Sequence, residues 1–586
     1  MSNQLANIPR PEHPNPQWKR DSFVNLNGEW MFEIDNSKSG EARELWKAES
    51  LSSKIILPFC PESKLSGIGN TDFMYCVWYK RSVSFTAEEL AGNRVILHFG
   101  AADFETRLWV NGKRIGLPHV GGYTSFEYDI TDALAEGDNM ITVCCYDDTR
   151  AWNQSSGKQS RVYHSHGCYY TRTTGIWQTV WYEIVPETYV KYAAITPDLE
   201  NCSVAISAEL AGTADFDVEV YYDGKLVGEA HKKNCAVVAN VDIALTEKHV
   251  WELGRGGLYD VVIKFGKDKV NSYFGLRSIE MKNGCLHING KPVFMRLVLD
   301  QGFNPDGIYT SPTEEHLIHD IECGFMAGFN GARLHEKVFE SLFLYHADRL
   351  GYMVWGEYAN WGLDVSDISN LSTFLPDWIA SVRRDRNHPA LVGWCPFNET
   401  WDDGPHRSRQ DDELLRIVYE QTKLADPTRP CIDTSGNFHV VTDIYDVHDY
   451  EQNPEIFKNN YDKLVTSGEL YEQVNNNHAT KQKWGGEPVF MSEYGGIGFQ
   501  LTSVDKDRKV SWSYGKSTHS YEEFYARYKG LTDALLDNPK MIGFCYTQLT
   551  DVEQEQNGLF EYATRAPKFD MEIISAINKR KAAIEE

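Results

Sequence analysis

Two short stretches of this chain end an apolar run with a glutamate, and each could supply a carboxyl group to a reaction. In the first, the apolar segment Leu391 to Phe397 is followed by Asn398 and Glu399. In the second, an apolar segment from residue 488 ends at Glu493, which precedes a tyrosine and two glycines. Two carboxyl groups across a cleft can cleave a glycosidic bond, because one protonates the leaving oxygen while the other attacks the sugar carbon or activates water.

A barrel of parallel strands would bring these two strand ends together. From about residue 279 onward, short apolar segments alternate with helical periodicity, as in Phe339–Leu350, which stops at Gly351. Eight strand candidates begin near residues 293, 330, 353, 391, 431, 444, 488 and 541. We therefore predict a C-terminal (β/α)8 TIM barrel over residues 279–586, with its active site at the C-terminal ends of the strands.

Two β domains are predicted ahead of the barrel. Residues 1–185 contain short alternating strands separated by turn signals such as Asn111-Gly112, which is typical of a β-sandwich. Residues 186–278 show the same alternation on a smaller scale, which favours an immunoglobulin-like β-sandwich. The chain is thus predicted to be multidomain, with two sandwiches followed by a barrel.

The motifs around both glutamates resemble those of a known enzyme family. Asn398-Glu399 after a strand with a tryptophan resembles the acid/base motif of glycoside hydrolase family 2, which includes β-galactosidases, β-glucuronidases and β-mannosidases. Ser492 to Gly495 resembles the nucleophile motif of that family. The motifs 27–30, 109–112 and 174–178 of the first domain are also similar. The resemblance implies a jelly-roll sugar-binding domain at residues 1–185, Glu399 as acid/base and Glu493 as nucleophile.

Other residues at predicted strand ends could complete the site. Asn398 is placed to bond the sugar 2-hydroxyl, an interaction that strengthens in the transition state. Arg333 could keep Glu493 ionised or could form a purely structural salt bridge. Predicted pocket-lining residues at other strand ends are His335, Glu357, His448, Asp449, Tyr450 and Tyr546.

The sequence departs from well-known family members in three places. The usual arginine-glycine-valine-asparagine-x-histidine run appears as residues 296–301, Arg-Leu-Val-Leu-Asp-Gln, so that Asp300 is the candidate substitute for the missing sugar-contacting histidine. The usual tryptophan of the last strand is Tyr546. The asparagine-x-lysine-glycine signature with which glucuronidases bind the substrate carboxylate is missing. These departures weigh against a β-glucuronidase.

A long polar and aromatic loop, residues 147–172, is predicted to reach over the barrel mouth and help bound the sugar pocket. Binding a uronic acid in a dry pocket requires a fixed cation. Because Arg333 is expected to pair with Glu493, this loop is the candidate source of such a clamp. Arg296 is the other cation expected near the mouth. The loop cations are Arg150, Lys158, Arg161 and Arg172.

Composition narrows the function classes. The net charge of −26 argues against nucleic-acid binding, which needs a basic footprint. The 12 cysteines form no CxxC or CxxH cluster, so no metal or cofactor is expected. The polar, proline-containing start and the lack of a long apolar run predict a cytoplasmic protein that does not enter a membrane. The expected partner is a carbohydrate, with homo-oligomer formation left open.

The sequence thus favours an exo-acting β-glycosidase, with β-galactosides as the first substrate class. If the two carboxyl groups lie about 5–5.5 Å apart, the reaction retains the anomeric configuration. A β-glucuronidase or β-galacturonidase, or another β-glycosidase of the family, is the alternative within the enzyme class. An inactive carbohydrate-binding protein is the alternative of another class.

Overall fold

A computed structural model describes residues 8–400, 410–436, 438–472, 481–500 and 511–585 of the chain. Two β-sandwiches are followed by an α/β-barrel, as the sequence predicts. Each sandwich has its own hydrophobic core, and the largest core fills the barrel, extends to its outer helices and includes buried residues of the first sandwich such as Tyr123 and Trp177. Among the described residues, no helix is both long enough and apolar enough to cross a membrane.

The first sandwich consists of two antiparallel sheets. Alternate residues of their strands face inward, as in Cys76–Phe85, and form one apolar core. The four-stranded sheet has the order Val24–Asn25, Val180–Pro186, Asn93–Phe99 and Phe126–Asp129. The six-stranded sheet has the order Ser53–Leu57, Gly28–Ile34, Cys76–Phe85, Gly137–Tyr146, Glu105–Val110 and Lys113–Val120. A strand pair, Ala102–Asp103 with Gly175–Ile176, and the short helix Ala87–Leu90 complete this domain.

The second sandwich is smaller and fully antiparallel. Its central strand, Ser203–Tyr222, pairs with three others and is 20 residues long, with register shifts that let it bend. The partner strands are Tyr189–Asp198, Lys225–Ala244 and Tyr259–Phe265, and Asp268–Phe274 continues the sheet. The Asp223-Gly224 turn has positive φ at both residues, as a type I′ hairpin turn requires.

A three-stranded hairpin sheet leads into the barrel: Ile279–Lys282, Cys285–Ile288 and Lys291–Pro292. The eight barrel strands are Met295–Asp300, Gly331–Leu334, Met353–Glu357, Leu391–Cys395 with Phe397–Asn398, Thr434–Ser435, Tyr445–Asp449, Val489–Gly495 and Met541–Thr547. All pairings between them are parallel. The fifth strand pairs with the fourth at Phe397–Asn398, so the split fourth strand extends the wall beside Glu399.

Within the described residues, seven helices surround the barrel: Glu314–Met326, Ser341–Leu350, Leu371–Asp385, Asp412–Ala425, Pro454–Thr466, Tyr521–Leu536 and Met571–Asn578. The predicted end at Gly351 is confirmed, since this glycine takes φ 71° as the C-cap of Ser341–Leu350. The described residues between the fifth and sixth strands contain no helix. A parallel pair, Ile497–Phe499 with Tyr514–Thr518, extends the barrel mouth beyond the seventh strand.

The 147–172 loop of the first sandwich is anchored to the barrel. The amides of Ser156 and Gly157 both donate to the carbonyl of Trp361, at 2.8 and 2.9 Å. A side chain at Gly157 would meet the carbonyl oxygen of Glu336 at 2.6 Å, so only glycine permits this close approach. The predicted path of the loop over the barrel is thus what the structure has.

Candidate active site

The two glutamates lie at the C-terminal rim of the barrel, at the ends of the fourth and seventh strands. Glu493 is the fifth residue of the seventh strand, and its side chain is buried. Glu399 follows the fourth strand, with its amide donating to the carbonyl of Ser435 at 2.8 Å and with φ at 49°. This left-handed backbone costs an L-residue about 1–2 kcal/mol, and such strain is often found at functional sites. One carboxylate oxygen of Glu399 lies within 4.8 Å of one of Glu493.

The surroundings of Glu493 favour its ionised form. Nη1 of Arg333 lies 3.2 Å from Oε1 of Glu493, and the hydroxyl of Tyr450 donates to Oε2 at 2.5 Å. Burial alone would raise the pKa of Glu493, but the charges of His448 and Arg333 outweigh it and hold the pKa well below its usual range. A carboxylate held in this way stays ionised, which is the form that can act as a nucleophile.

His448 connects the two glutamates. Its Nδ1 lies 2.8 Å from Oε1 of Glu399 and 3.6 Å from Oε2 of Glu493, while its Nε2 lies 2.8 Å from the hydroxyl of Ser435. Burial opposes a charged imidazole, but Glu493 and the hydrogen-bonded Glu399 together raise the pKa of His448. A protonated His448 therefore places positive charge between the catalytic carboxyl groups.

The same three side chains, Glu399, His448 and Glu493, offer ligand atoms close enough for a metal ion. However, both oxygens of Glu493 already accept hydrogen bonds from Arg333 and Tyr450. A histidine with a raised pKa also keeps the proton that a metal would have to displace. The donor set therefore fits a hydrogen-bonded pair of carboxyl groups better than a metal site.

A buried network fixes Arg333 and the residues around it. Its Nε lies 2.5 Å from Oε1 of Glu357, and its Nη2 lies 3.3 Å from Oδ1 of Asn398. His335 Nδ1 lies 2.8 Å from the other oxygen of Glu357. Burial raises the pKa of Glu357 to about 7, although Arg333 opposes the shift. Arg333 thus contacts Glu493, as its predicted role of keeping that residue ionised requires. It also links Glu493 to Asn398.

Lys158, one of the loop cations that the sequence offered for a uronate clamp, lies close to Trp361 and Glu336, which the sequence did not place in the pocket. Nζ of the buried Lys158 is 4.1 Å from the centroid of the Trp361 ring. Burial alone would lower the pKa of Lys158, but Cys168, Glu336 and other nearby acidic groups raise it overall, Glu493 among them. Trp361 bonds through its indole to the carbonyl of Asn398 at 3.0 Å, and its amide donates to Glu336 at 2.8 Å.

Three predicted lining residues have contacts elsewhere. Asp300 accepts from the amide of Gly302 at 2.9 Å, and none of the described contacts joins it to either glutamate. Asp449 accepts from Tyr461 on an outer helix at 3.1 Å. Tyr546 packs against Tyr494 and Tyr528, which places it on the outer face of the eighth strand. Because side chains alternate along a strand, the next residue, Thr547, faces inward and lies 3.2 Å from the hydroxyl of Tyr450.

Three of the four arginines considered for a uronate clamp are already engaged. Arg172 donates to four backbone carbonyls, those of Ser160, Val162, Thr71 and Tyr163. Arg161 donates to the carbonyls of residues 149 and 150. Arg296 pairs with Glu585 at 2.6 Å, because it is the second residue of its strand and so lies toward the opposite end of the barrel. The expectation that Arg296 lies near the mouth is therefore wrong.

Sequence comparison agrees with this geometry. Residues 69–182 match the glycosyl hydrolases family 2, sugar binding domain, and residues 279–503 match the glycosyl hydrolases family 2, TIM barrel domain. Together these two matches cover more than half of the chain, and the second includes both glutamates.

Individual relatives carry two different activity names. A β-galactosidase of Oenococcus oeni is 24% identical over 488 residues, which is 73% of this chain and 44% of that protein. A β-galactosidase of Thermoanaerobacter pseudethanolicus is 26% identical over 353 residues, or 57% of this chain and 46% of that protein. A β-glucuronidase of Canis lupus familiaris is 24% identical over 80% of this chain and 77% of its own length. The chain thus spans less than half the length of these two β-galactosidases.

Solved structures share the whole architecture. A β-glucuronidase from an uncultured Clostridium species superposes with a TM-score of 0.78 at 20% identity, over 96% of this chain and 99% of that one. The Ruminococcus gnavus β-glucuronidase superposes with a TM-score of 0.78 at 16% identity, over 96% of this chain and 98% of that one. At this identity the likeness concerns the fold. With both domain patterns matched in order and two glutamates paired at the barrel rim, the chain belongs to glycoside hydrolase family 2.

Proposed function

We propose that this chain is a retaining exo-β-glycosidase, with Glu493 as nucleophile and Glu399 as acid/base. The observation that carries the proposal is the separation of the two carboxylates, with one oxygen of each within 4.8 Å of the other. Retaining enzymes hold their carboxyl groups about 5–5.5 Å apart, whereas inverting enzymes need about 6.5–9.5 Å to fit a water molecule.

The contacts of the two residues divide the roles between them. Glu493 is ionised beside Arg333 and would attack the anomeric carbon to form a glycosyl-enzyme. Glu399 is the less buried of the two and would first protonate the leaving oxygen. Esterification removes the charge of Glu493, after which Glu399 would accept a proton from the attacking water. Tyr450 would release its hydrogen bond to the Glu493 oxygen as that oxygen bonds to carbon.

The charges around the glycone position favour a neutral sugar, and we place β-galactosides first. Lys158 is a buried loop cation, and Glu336, Glu555 and Glu493 all act on its charge. Arg333 is bound to Glu357 and Glu493. An anionic glycone would therefore enter a pocket in which carboxyl groups outnumber cations. Glycone hydroxyls, by contrast, can hydrogen-bond to ammonium and carboxyl groups alike.

A uronide is the second candidate substrate, and the environment of Lys158 favours it. Its buried ammonium has no hydrogen bond or ion pair with any residue that the structure describes, so it has capacity to bind a ligand carboxylate. The canine relative and the superposed structures named above are β-glucuronidases. An inactive sugar-binding protein is less favoured, because such a protein needs no paired, polarised carboxyl groups.

The test is turnover of nitrophenyl β-glycosides by the purified full chain. We expect hydrolysis of the β-galactoside, and ¹H NMR of the first product should show the β-anomer before mutarotation. The α-anomer as first product would overturn the retaining mechanism. Failure to turn over any β-glycoside, by a protein shown to be folded, would overturn the enzyme assignment.

A further inference from the structure

A cavity of about 520 Å³ opens beside Glu399, on the side formed by the loop of the first sandwich. Glu399 and Thr400 contribute to its wall, whereas Glu493 does not. Its other lining residues include the aromatic side chains of Trp152, Tyr169 and Trp361 and the apolar side chains of Val162, Leu363 and Val365, and Arg161 also lines it. Two domains thus build one pocket that touches the acid/base but not the nucleophile.

The walls of this cavity are held in place from both sides. The amide of Asp364 donates to the carbonyl of Trp152 at 2.7 Å, and the side chain of Gln554 donates to the carbonyl of Tyr169 at 3.0 Å. Arg161 lies 3.5 Å from the centroid of the Trp152 ring, with its own guanidinium fixed by backbone carbonyls. The loop is therefore anchored to the barrel on both sides of the pocket.

Large apolar groups are exposed at this pocket rather than covered. Trp152 is 62% exposed and Val162 is 53% exposed, although both line the cavity. Tyr169 and Trp361 place their ring centroids 5.2 Å apart at a tilt of 39°, which forms an angled aromatic wall. Exposed apolar surface that is grouped around a cavity favours a ring with an apolar face as ligand.

The leaving group must lie on this side of Glu399 if Glu399 is the general acid. The general acid must reach the glycosidic oxygen, so the group attached to that oxygen lies next to the acid. The glycone, by contrast, must lie against Glu493, which attacks its anomeric carbon. A cavity walled by Glu399 and not by Glu493 is therefore on the departing side of the bond.

We propose that this cavity is the leaving-group site, and that it selects a ring-shaped leaving group whose apolar face packs on Trp152 and Trp361. Aryl groups and second sugar rings share this chemistry, since both present a flat apolar face. The inference rests on the proposed glycosidase function and adds to it that the N-terminal domain selects the departing group.

The test compares leaving groups on one glycone in Trp152→Ala. Because Trp152 is exposed, this change should leave the fold intact, and an unchanged Tm verifies that. We expect kcat/KM to fall about 3- to 10-fold for nitrophenyl glycosides or for disaccharides, but to stay unchanged for methyl glycosides. For dinitrophenyl glycosides under conditions where deglycosylation limits turnover, kcat should be unaffected, because the leaving group has already departed. Tyr163→Ala is the matched control, an exposed ring of the same loop outside the cavity.

Direct titration separates this inference from the enzyme assignment. Free nitrophenol and free glucose, each titrated against the tryptophan fluorescence of the wild-type chain and of Trp152→Ala, report binding even without turnover. Weaker binding of either one in Trp152→Ala supports the site, and the one affected identifies an aryl or a sugar leaving group. Equal losses for methyl and ring glycosides, or equal binding in both proteins, would overturn the inference while leaving the glycosidase function in place.

Discussion

Arg333 and Tyr450 bind opposite oxygens of Glu493, at 3.2 and 2.5 Å. One contact supplies a permanent charge and the other a neutral donor that can withdraw during the reaction. This division suits a carboxylate that must stay ionised before attack and then form a covalent bond through one oxygen. Removing Glu493 is consequently the most direct test of the mechanism.

Glu493→Ala should lower kcat by at least about 10⁴-fold, since the covalent step has no substitute nucleophile. Added azide should restore part of the turnover and give an α-glycosyl azide, which NMR identifies. Glu357→Gln is the matched control, because it changes a neighbouring buried carboxyl group that is not the proposed nucleophile. A β-azide, or azide rescue in Glu399→Ala with release of an α-product, would reverse the two roles.

Glu399→Ala should slow poor leaving groups far more than good ones. A general acid contributes about 10²- to 10⁴-fold where the departing oxygen needs a proton, and little for dinitrophenolate. The measurement is kcat/KM over a series of leaving groups with different pKa values, where the variant should show a steeper dependence than the wild type. Equal losses across the series would show that Glu399 is not the acid.

His448→Gln should shift the acid limb of kcat/KM toward higher pH. His448 carries charge 3.6 Å from Glu493 and helps to lower the pKa of that carboxyl group. Removing the charge raises the pKa of Glu493, so the variant should lose its ionised nucleophile at a higher pH, by about 1–3 pH units. His346→Gln, on an outer helix where the histidine contacts Glu314, should leave the profile unchanged. An identical acid limb in His448→Gln would mean that this histidine does not control the nucleophile.

Lys158→Met tests the choice of glycone. If the glycone is neutral, the wild type should prefer nitrophenyl β-galactoside over the matching β-glucuronide by at least 10-fold, because a buried carboxylate without a dedicated partner is costly. The variant should then lose about 10-fold in kcat/KM for the galactoside through a missing charged hydrogen bond. A wild-type ratio below one, with selective loss of uronide activity in Lys158→Met, would establish the uronide alternative instead. Arg161→Gln should leave this ratio unchanged.

The barrel and both glutamates could be predicted because their signals are local. An apolar run of strand length that ends in a carboxyl residue is visible within ten positions, and the family motifs repeat it at Glu399 and Glu493. The helix that ends at Gly351 was equally local, since a glycine C-cap ends a periodic pattern.

The sequence alone could not predict which face of a strand each side chain lies on, or which distant segments of the chain come into contact. Tyr546 was expected in the pocket, but strand residues alternate, and a shift of one residue puts Thr547 there instead. Lys158 was one of several cations in a long loop, and its approach to Trp361 depends on docking between domains some 200 residues apart in sequence. Nothing in the sequence indicated the left-handed backbone of Glu399 either, because glutamate is not a residue that favours positive φ.

The anchored loop from residue 147 to 172 separates two tasks that many enzymes combine in one set of residues. In the proposed mechanism bond cleavage depends on side chains of the barrel, whereas the far wall of the cavity beside Glu399 belongs to another domain. Substitutions at exposed loop positions such as Trp152 or Val162 can therefore alter which compounds are accepted without disturbing the reacting groups. Natural variants of this chain should accordingly diverge in the loop before they diverge around Glu493, which makes the loop the place to change when a new specificity is sought.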